Sequence, residues 1–260
     1  LLLYNLAGKE NQVVVYFFIV LFLMHILESI TGFGSTSIGI PILSLALGTE
    51  ASVALLSAAG LILCLVVAAT QYKKVQLREL LIILAAVIPI MPIGYLLFAK
   101  LRLMEWALRL IMGLVVTFVA SREIWRRMIR KDAGDPPQWL VYSAFGVGAV
   151  VQGMFSMGGA LINVYVLTRI RDKSMFRATM VMVWLITNTI SLMFRMFVLH
   201  SYTRQIWTNV LYSIPLVFIA FFIGNKLHHR IPNEKFANFV YIVQLISGLL
   251  SIAGGINLLM

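Results

Sequence analysis

Gly32-Phe33-Gly34-Ser35-Thr36-Ser37 and Gly153-Met154-Phe155-Ser156-Met157-Gly158-Gly159 interrupt two apolar stretches of a chain that otherwise reads as membrane helix. Glycine leaves the helix at little steric cost. In hydrocarbon, every N–H or C=O that such a break frees costs several kcal/mol unless protein or a wet cavity satisfies it. Two breaks at matching places in the two halves therefore predict one shared cavity, the arrangement expected of a transporter.

Composition agrees. Of 260 residues, 61% are hydrophobic and 12% charged, with a mean hydropathy of +0.94. That is more apolar surface than one soluble core covers, so the expected partner is a lipid bilayer. The net charge of +11 is spread in short clusters between apolar spans and forms no long patch, which predicts positive-inside topology and no nucleic-acid partner. Cys64 is the single cysteine, so no intrachain disulfide is available, and its neighbours Leu63, Leu65 and Val66 mark it as packing. No small-residue cleavage site follows residues 12–31, which read as a retained segment and not a signal peptide. His228 and His229 diverge if helical, and no Cys, Asp or third His completes a metal site. Neither a nucleophile–base–acid set nor a phosphate loop is present, so neither an enzyme nor a bound metal or cofactor is expected.

A hydrocarbon core about 30 Å thick takes roughly 20 apolar residues as helix. Six full spans are predicted, at 51–72, 79–99, 104–125, 178–199, 206–226 and 237–259. The stretches 12–48 and 139–168 are cut near their middles. The pieces after the breaks, about 13 and 10 residues, reach only about 20 and 15 Å. Each stretch is predicted to be a helical hairpin or broken helix.

If each broken stretch enters and leaves on one side, four clusters become cytoplasmic: Lys73, Lys74 and Arg78; Arg122, Arg126, Arg127, Arg130 and Lys131; Arg169, Arg171, Lys173 and Arg177; and Lys226, Arg230 and Lys235. Only Lys9, Lys100, Arg102, Arg109, Arg195 and Arg204 fall elsewhere. Each half then holds one broken hairpin and three crossings, and the odd number inverts the second half. The expected fold is an all-α polytopic membrane protein of two inverted repeats, each a broken helical hairpin followed by three transmembrane helices. Residues 1–125 form the first membrane repeat, 126–138 a cytoplasmic linker ended by Pro136 and Pro137, and 139–260 the second repeat. Both termini are expected outside. Ile88-Pro89 before Lys100-Leu101 recurs as Ile214-Pro215 before Lys226-Leu227, at the offset that separates Gly32 from Gly158.

Thr31, Ser35, Thr36 and Ser37 supply hydroxyls at the first break, while Gly32 and Gly34 let the backbone unwind. A helix beginning at Ser35 to Ser37 would aim free N–H groups and a partial positive charge into the break, a seat for an oxyanion. Gln152, Ser156 and Asn163 play the same part around Gly153, Phe155, Gly158 and Gly159. Close helix packing is the plainer reading of any one glycine pair; two hydroxyl-flanked breaks favour a site. His25 and Glu28 lie in apolar sequence on one helix face. They read either as a coupling or proton-relay pair or as a neutral, hydrogen-bonded pair near the interface. Arg195 reads as snorkelling to headgroups rather than as an anion ligand. Asn188 either caps a broken segment, touches substrate or serves as interhelical glue.

At these residues the chain resembles the sulfite exporter TauE/SafE family, the toluene sulfonate uptake permeases, over nearly its whole length. In that family each half opens with a G-x-x-G-x-G-G-G type motif followed by Val-Pro. This chain has Gly32-Phe33-Gly34-Ser35-Thr36-Ser37-Ile38-Gly39-Ile40-Pro41, and a second copy at Gly153 to Ala160. Arg177-Ala178-Thr179, Asn188, Ile231-Pro232, Tyr241 and Gly248 are similar as well. Ser35 to Ser37 replace glycines, and Asn163-Val164 stands where the second proline is expected. The resemblance implies a transporter of small sulfur-containing or organic anions in a bacterial-type plasma (inner) membrane, driven by an ion gradient. A proton is the expected coupling ion, with Glu28 and His25 as its carriers, and a homo-oligomer is allowed. The altered glycines keep organosulfonates and carboxylates open as substrates beside sulfite. From a different class, a non-transporting membrane scaffold would not need paired breaks.

Overall fold

A computed structural model describes the backbone of residues 2–126, 137–228 and 233–260, and the side chains of 13–126, 137–228 and 241–260. Within them lie ten α-helices, one short 3-10 helix (Tyr72–Lys74) and no strand: α1 (Leu2–Thr31), α2 (Ser35–Leu47), α3 (Thr49–Gln71), α4 (Leu77–Leu101), α5 (Glu105–Ile124), α6 (Gln138–Phe155), α7 (Gly159–Arg169), α8 (Lys173–Phe197), α9 (Arg204–His228) and α10 (Asn233–Leu259). Each predicted span has its helix. Most of the predicted linker, 127–136, lies outside the described residues, as do His229, Arg230, Ile231 and Pro232 and the side chains of Lys9 and Lys235. Pro137 directly precedes α6.

Among the described residues, six helices are long and apolar enough to cross a membrane, and the chain is a multi-pass membrane protein. These six are not the six expected. Val13–Thr31 of α1 qualifies, whereas α5, which carries Glu105, Arg109, Arg122 and Glu123, does not. The first break thus falls at the end of a full-length arm, and only the returning arms are short, with 13 residues in α2 and 11 in α7. The second break is also narrower than its glycines suggest. Only Ser156 to Gly158 leave the helix, while Gly153 and Phe155 remain in α6.

Packing explains the difference at Gly153. A Cβ there would sit 2.2 Å from the Met91 carbonyl oxygen, and one on Gly94 would sit 2.1 Å from that of Val150. These two glycines let α4 and α6 touch backbone to backbone, the small-residue contact of membrane helices. At the α1–α9 contact, a Cβ on Gly224 would lie 2.5 Å from that of Ser29, whose hydroxyl donates to the Phe221 carbonyl at 3.1 Å. Helix α1 lies on α9 as α6 lies on α4, while α3 pairs with α8 and α5 with α10. Outward side chains such as Leu81, Leu96, Leu114, Phe118, Leu211, Phe222 and Leu249 are exposed, as a lipid-facing surface requires.

Contacts between helix ends order the bundle. At one end, Lys173 Nζ donates to the His228 carbonyl at 3.0 Å and the Gln76 amide to Thr179 Oγ1 at 3.0 Å. The clusters Lys73–Arg78, Arg169–Arg177 and Lys226 gather there. At the other end, Glu105 accepts from the Thr49 amide at 2.8 Å, Arg102 donates to the Leu199 carbonyl at 2.9 Å, and Tyr202 donates to Ala54 at 3.1 Å. In the α1–α2 hairpin, Tyr16 reaches Ile42 (3.3 Å), and Arg109 donates to the Ser44 carbonyl near that second end (2.6 Å). In the α6–α7 hairpin, Tyr142 and Phe145 pack on Tyr165, close to the basic end. The two hairpins therefore enter the bundle from opposite ends.

Gly94→Ala or Gly153→Ala pushes a methyl into a carbonyl oxygen. Each is expected to destabilise the detergent-solubilised protein by about 1–3 kcal/mol. Gly146→Ala, with nothing within 4 Å of its Cβ, should not lower the thermal melting point and should raise it slightly, because alanine favours a helix interior over glycine by about 0.5–1 kcal/mol.

Candidate functional site

The first hairpin turns through Gly32 and Gly34, with φ of 81° and 110°, a conformation that side-chain-bearing residues rarely adopt. Its loose backbone groups find protein partners. Trp184 Nε1 of α8 donates to the Gly32 carbonyl at 3.0 Å. The Thr31 hydroxyl accepts from the Phe33 amide at 3.2 Å and lies 2.5 Å from the Phe33 carbonyl. The first bond of the α2 ladder runs from the Ile38 amide to the Gly34 carbonyl at 3.1 Å. The amides of Ser35, Thr36 and Ser37 thus precede the ladder, and the positive end of α2 faces the break.

The second hairpin turns on Ser156, held in the left-handed region at φ 55°. Gln152, fully buried, braces it: its Oε1 accepts from the Gly158 amide at 2.9 Å, and its Nε2 donates to Asn188 Oδ1 at 2.7 Å and Thr187 Oγ1 at 3.2 Å. Asn188 therefore steadies the second tip through Gln152. A Cβ on Gly158 would lie 2.2 Å from the Gly148 carbonyl oxygen, so this glycine serves the approach of α7 to α6. Helix α7 starts at Gly159, where a Cβ would lie 3.6 Å from that of Phe33 and 3.2 Å from the Trp184 ring. The hairpin tips meet against α8.

Between them is a cavity of about 10 Å³, room for roughly one water. Phe33, Gly34, Ser35, Thr36 and Ser37 line it from the first tip, Gln152, Ser156 and Gly159 from the second, with Asn188 beside them and Glu28 at its edge. Gly32, Gly153, Phe155 and Gly158 belong to the tips or α6 without lining the cavity; Phe155 packs edge-on against Phe98 at 6.0 Å. Asn163 lies away from it, in a second cavity farther along α7. The Ser156 hydroxyl is buried with no partner. Among the described residues, no lysine or arginine lines the space between the two helix N-termini.

Glu28 and His25 are buried, not interfacial, and they are not bonded to each other. Glu28 accepts a short hydrogen bond from the Ser35 hydroxyl. His25 Nδ1–H donates to the Leu21 carbonyl at 2.8 Å, which leaves Nε2 without a partner. Both point at Gly60 of α3, whose Cβ would lie 4.0 Å from Glu28 Oε2 and 4.0 Å from His25 Nε2. Gly60, Met157 and Trp184 also line the cavity. Gly60 carries no signal in sequence beyond the run of small residues Ser57-Ala58-Ala59-Gly60.

Arg195 corrects its expectation. It is 1% exposed and does not snorkel: its guanidinium sits 4.3 Å over the Phe98 ring and donates to the Met154 carbonyl at 2.5 Å. The reason is the end of α6, where carbonyls without helical partners form the negative pole of the helix and draw a cation inward. Arg177, expected among the cytoplasmic cations, is likewise buried. It lies against Gly32 and donates to Asn225 Oδ1 at 3.2 Å. Cys64 is buried and free, as expected of packing.

The family model described as sulfite exporter TauE/SafE matches residues 17–251. A curated relative, the probable inner membrane transporter protein TsaS of Comamonas testosteroni, is 25% identical over 186 residues, covering 68% of this chain and 73% of its own. No solved structure matches.

Gln152→Leu removes three hydrogen bonds and strands the Gly158 amide and the Asn188 carbonyl oxygen. Each buried orphan costs about 1–3 kcal/mol. The variant should melt earlier in detergent, with amide hydrogen exchange at Gly158 faster than in wild type and exchange at the α2 N-terminus unchanged.

Proposed function

Because the chain belongs to the sulfite exporter TauE/SafE family, whose members are membrane transporters and not enzymes, we propose that it carries a small sulfur-containing oxyanion, sulfite or an organosulfonate, through the cavity between its hairpin tips. The observation that carries this reading is the convergence of two helix N-termini and the hydroxyls of Ser35, Thr36, Ser37 and Ser156 on one cavity that has no lysine or arginine among its described lining residues. Such a seat binds an anion through N–H and O–H groups and releases it readily. Hairpins entering from opposite ends, and the matched packing of α1 on α9 and α6 on α4, support an inverted repeat working by alternating access. With the basic end inside, both termini lie outside.

Glu28 sets the coupling. Two unit negative charges 4 Å apart repel by about 4 kcal/mol at an effective dielectric of 20. Two helix N-termini contribute about 0.3–1 kcal/mol each, up to ~2 each when partly buried, so together they at most offset that repulsion. An anion therefore gains little beside ionised Glu28 and binds more favourably once Glu28 is protonated, so anion and proton occupy the cavity together. A protonated Glu28 no longer needs the Ser35 hydroxyl, which turns to the anion. The unpartnered Nε2 of His25 is the next stop for the proton. A carboxylate is the second reading, favoured by the apolar faces that Phe33 and Trp184 offer an organic group.

Proteoliposomes loaded with this protein should take up radiolabelled sulfite faster under an imposed pH gradient, with unlabelled sulfonates competing. Absence of both flux and competition would exclude sulfite. Glu28→Gln is expected to lose gradient-driven uptake and keep exchange. Gly60→Ala adds a methyl at ordinary contact distance, so the protein should stay folded while transport falls at least tenfold; full activity would remove the cavity from the pathway.

A further inference from the structure

A second cavity, of about 50 Å³, lies between the last turn of α5, one face of α7 and Tyr241 of α10. By the same measure the central cavity has about 10 Å³. The larger space takes roughly three or four waters, the size of one pyramidal or tetrahedral oxyanion. Its α7 wall runs from Ala160, next to Gly159 of the central cavity, through Asn163 and Val164 to Leu167 and Thr168 near the basic end.

Three polar groups make this more than a packing gap. Asn163 is 3% exposed, and both its Nδ2 and its Oδ1 are buried without a partner. A buried amide with neither end satisfied is unfavourable unless something polar fills the space before it. Across the cavity, Arg122 donates to Glu123 Oε1 at 2.8 Å and Arg126 to Glu123 Oε2 at 2.9 Å. Among the described residues two guanidiniums meet one carboxylate, an excess of one positive charge, and the Arg126 Nε is buried with no partner. Positive charge, one spare N–H on a guanidinium and one spare amide N–H are what an oxyanion accepts from.

We infer that this cavity binds a small oxyanion through Asn163, Arg126 and Arg122, as an inner subsite one helical turn from the central cavity. The inference takes the class of its ligand from the transport reading but concerns separate residues. An anion leaving the Gly159 end of the central cavity meets Asn163 next and then the arginines, so the inner subsite holds it before release into water. The same seat suits the phosphate of an anionic lipid headgroup.

Equilibrium binding of radiolabelled sulfite to the full chain in phosphatidylcholine nanodiscs tests it. Wild type should bind two equivalents, and Arg126→Gln combined with Asn163→Leu should lose one. Asn163→Leu alone should raise the melting temperature of the anion-free protein, because it removes an unsatisfied amide, and should reduce the further rise on adding sulfite. If phosphatidylglycerol nanodiscs abolish only the Arg126-sensitive equivalent, a headgroup phosphate occupies the same seat, which supports the site and names its source. Sulfite binding unchanged by both substitutions, or absent from wild type, overturns the inference. Flux in proteoliposomes reads the transport proposal independently, so one can fail without the other. If the double variant misfolds, Arg126→Gln alone gives the same comparison, its side chain being partly exposed.

Discussion

Two helix breaks in an apolar setting leave backbone groups that water cannot reach, and the rest of the structure answers that constraint. Nearly all the answers come from α8. Trp184 holds the Gly32 carbonyl, Thr187 and Asn188 hold the Gln152 that caps Gly158, and Arg195 holds the Met154 carbonyl. Arg177 sits under the first turn. Two residues of the same helix, Trp184 and Asn188, also line the central cavity. The helix that satisfies the breaks is therefore the helix that positions them against each other.

The same bonds bear on motion. A cavity with room for one water cannot hold a sulfite, so the proposed transport requires the tips to part. The first tip leans on α8 through the Trp184 indole and packing on the Arg177 side chain, and the second through Gln152 and Arg195, with hydrogen bonds of about 0.5–1.5 kcal/mol each when neutral and about 1.5–3 when charged. The Gly94–Gly153 contact, by contrast, locks α6 to α4 along close-packed backbone. Movement is cheapest at the turns and at the short arms α2 and α7, and dearest where glycines let helices touch.

Much of this was legible in the sequence because it rests on periodicity and length. The six long apolar stretches became helices close to their predicted ends, and the short returning arms followed from the spacing between each break and the next polar cluster. Gly32 and Gly34 were readable as turn formers because glycine takes up left-handed dihedral angles that side-chain-bearing residues rarely adopt. Gly153 was not, since a glycine that permits helix contact and one that permits a turn look alike until the partner is known. Arg195 misled for a related reason. A long cation near a helix end usually reaches for water, and only the unpaired carbonyls of α6 turned it inward.

The sequence by itself determined that the chain crosses a membrane, where its two breaks fall and which hydroxyls stand at them, because hydropathy, glycine and helix rise act locally along the chain. Tertiary structure alone decided that the two tips meet, that Gly60 opens the space before Glu28 and His25, and that Asn163 faces another cavity. Those outcomes depend on which helix passes behind each turn, and contact between residues distant in the chain leaves no mark on the local pattern of either.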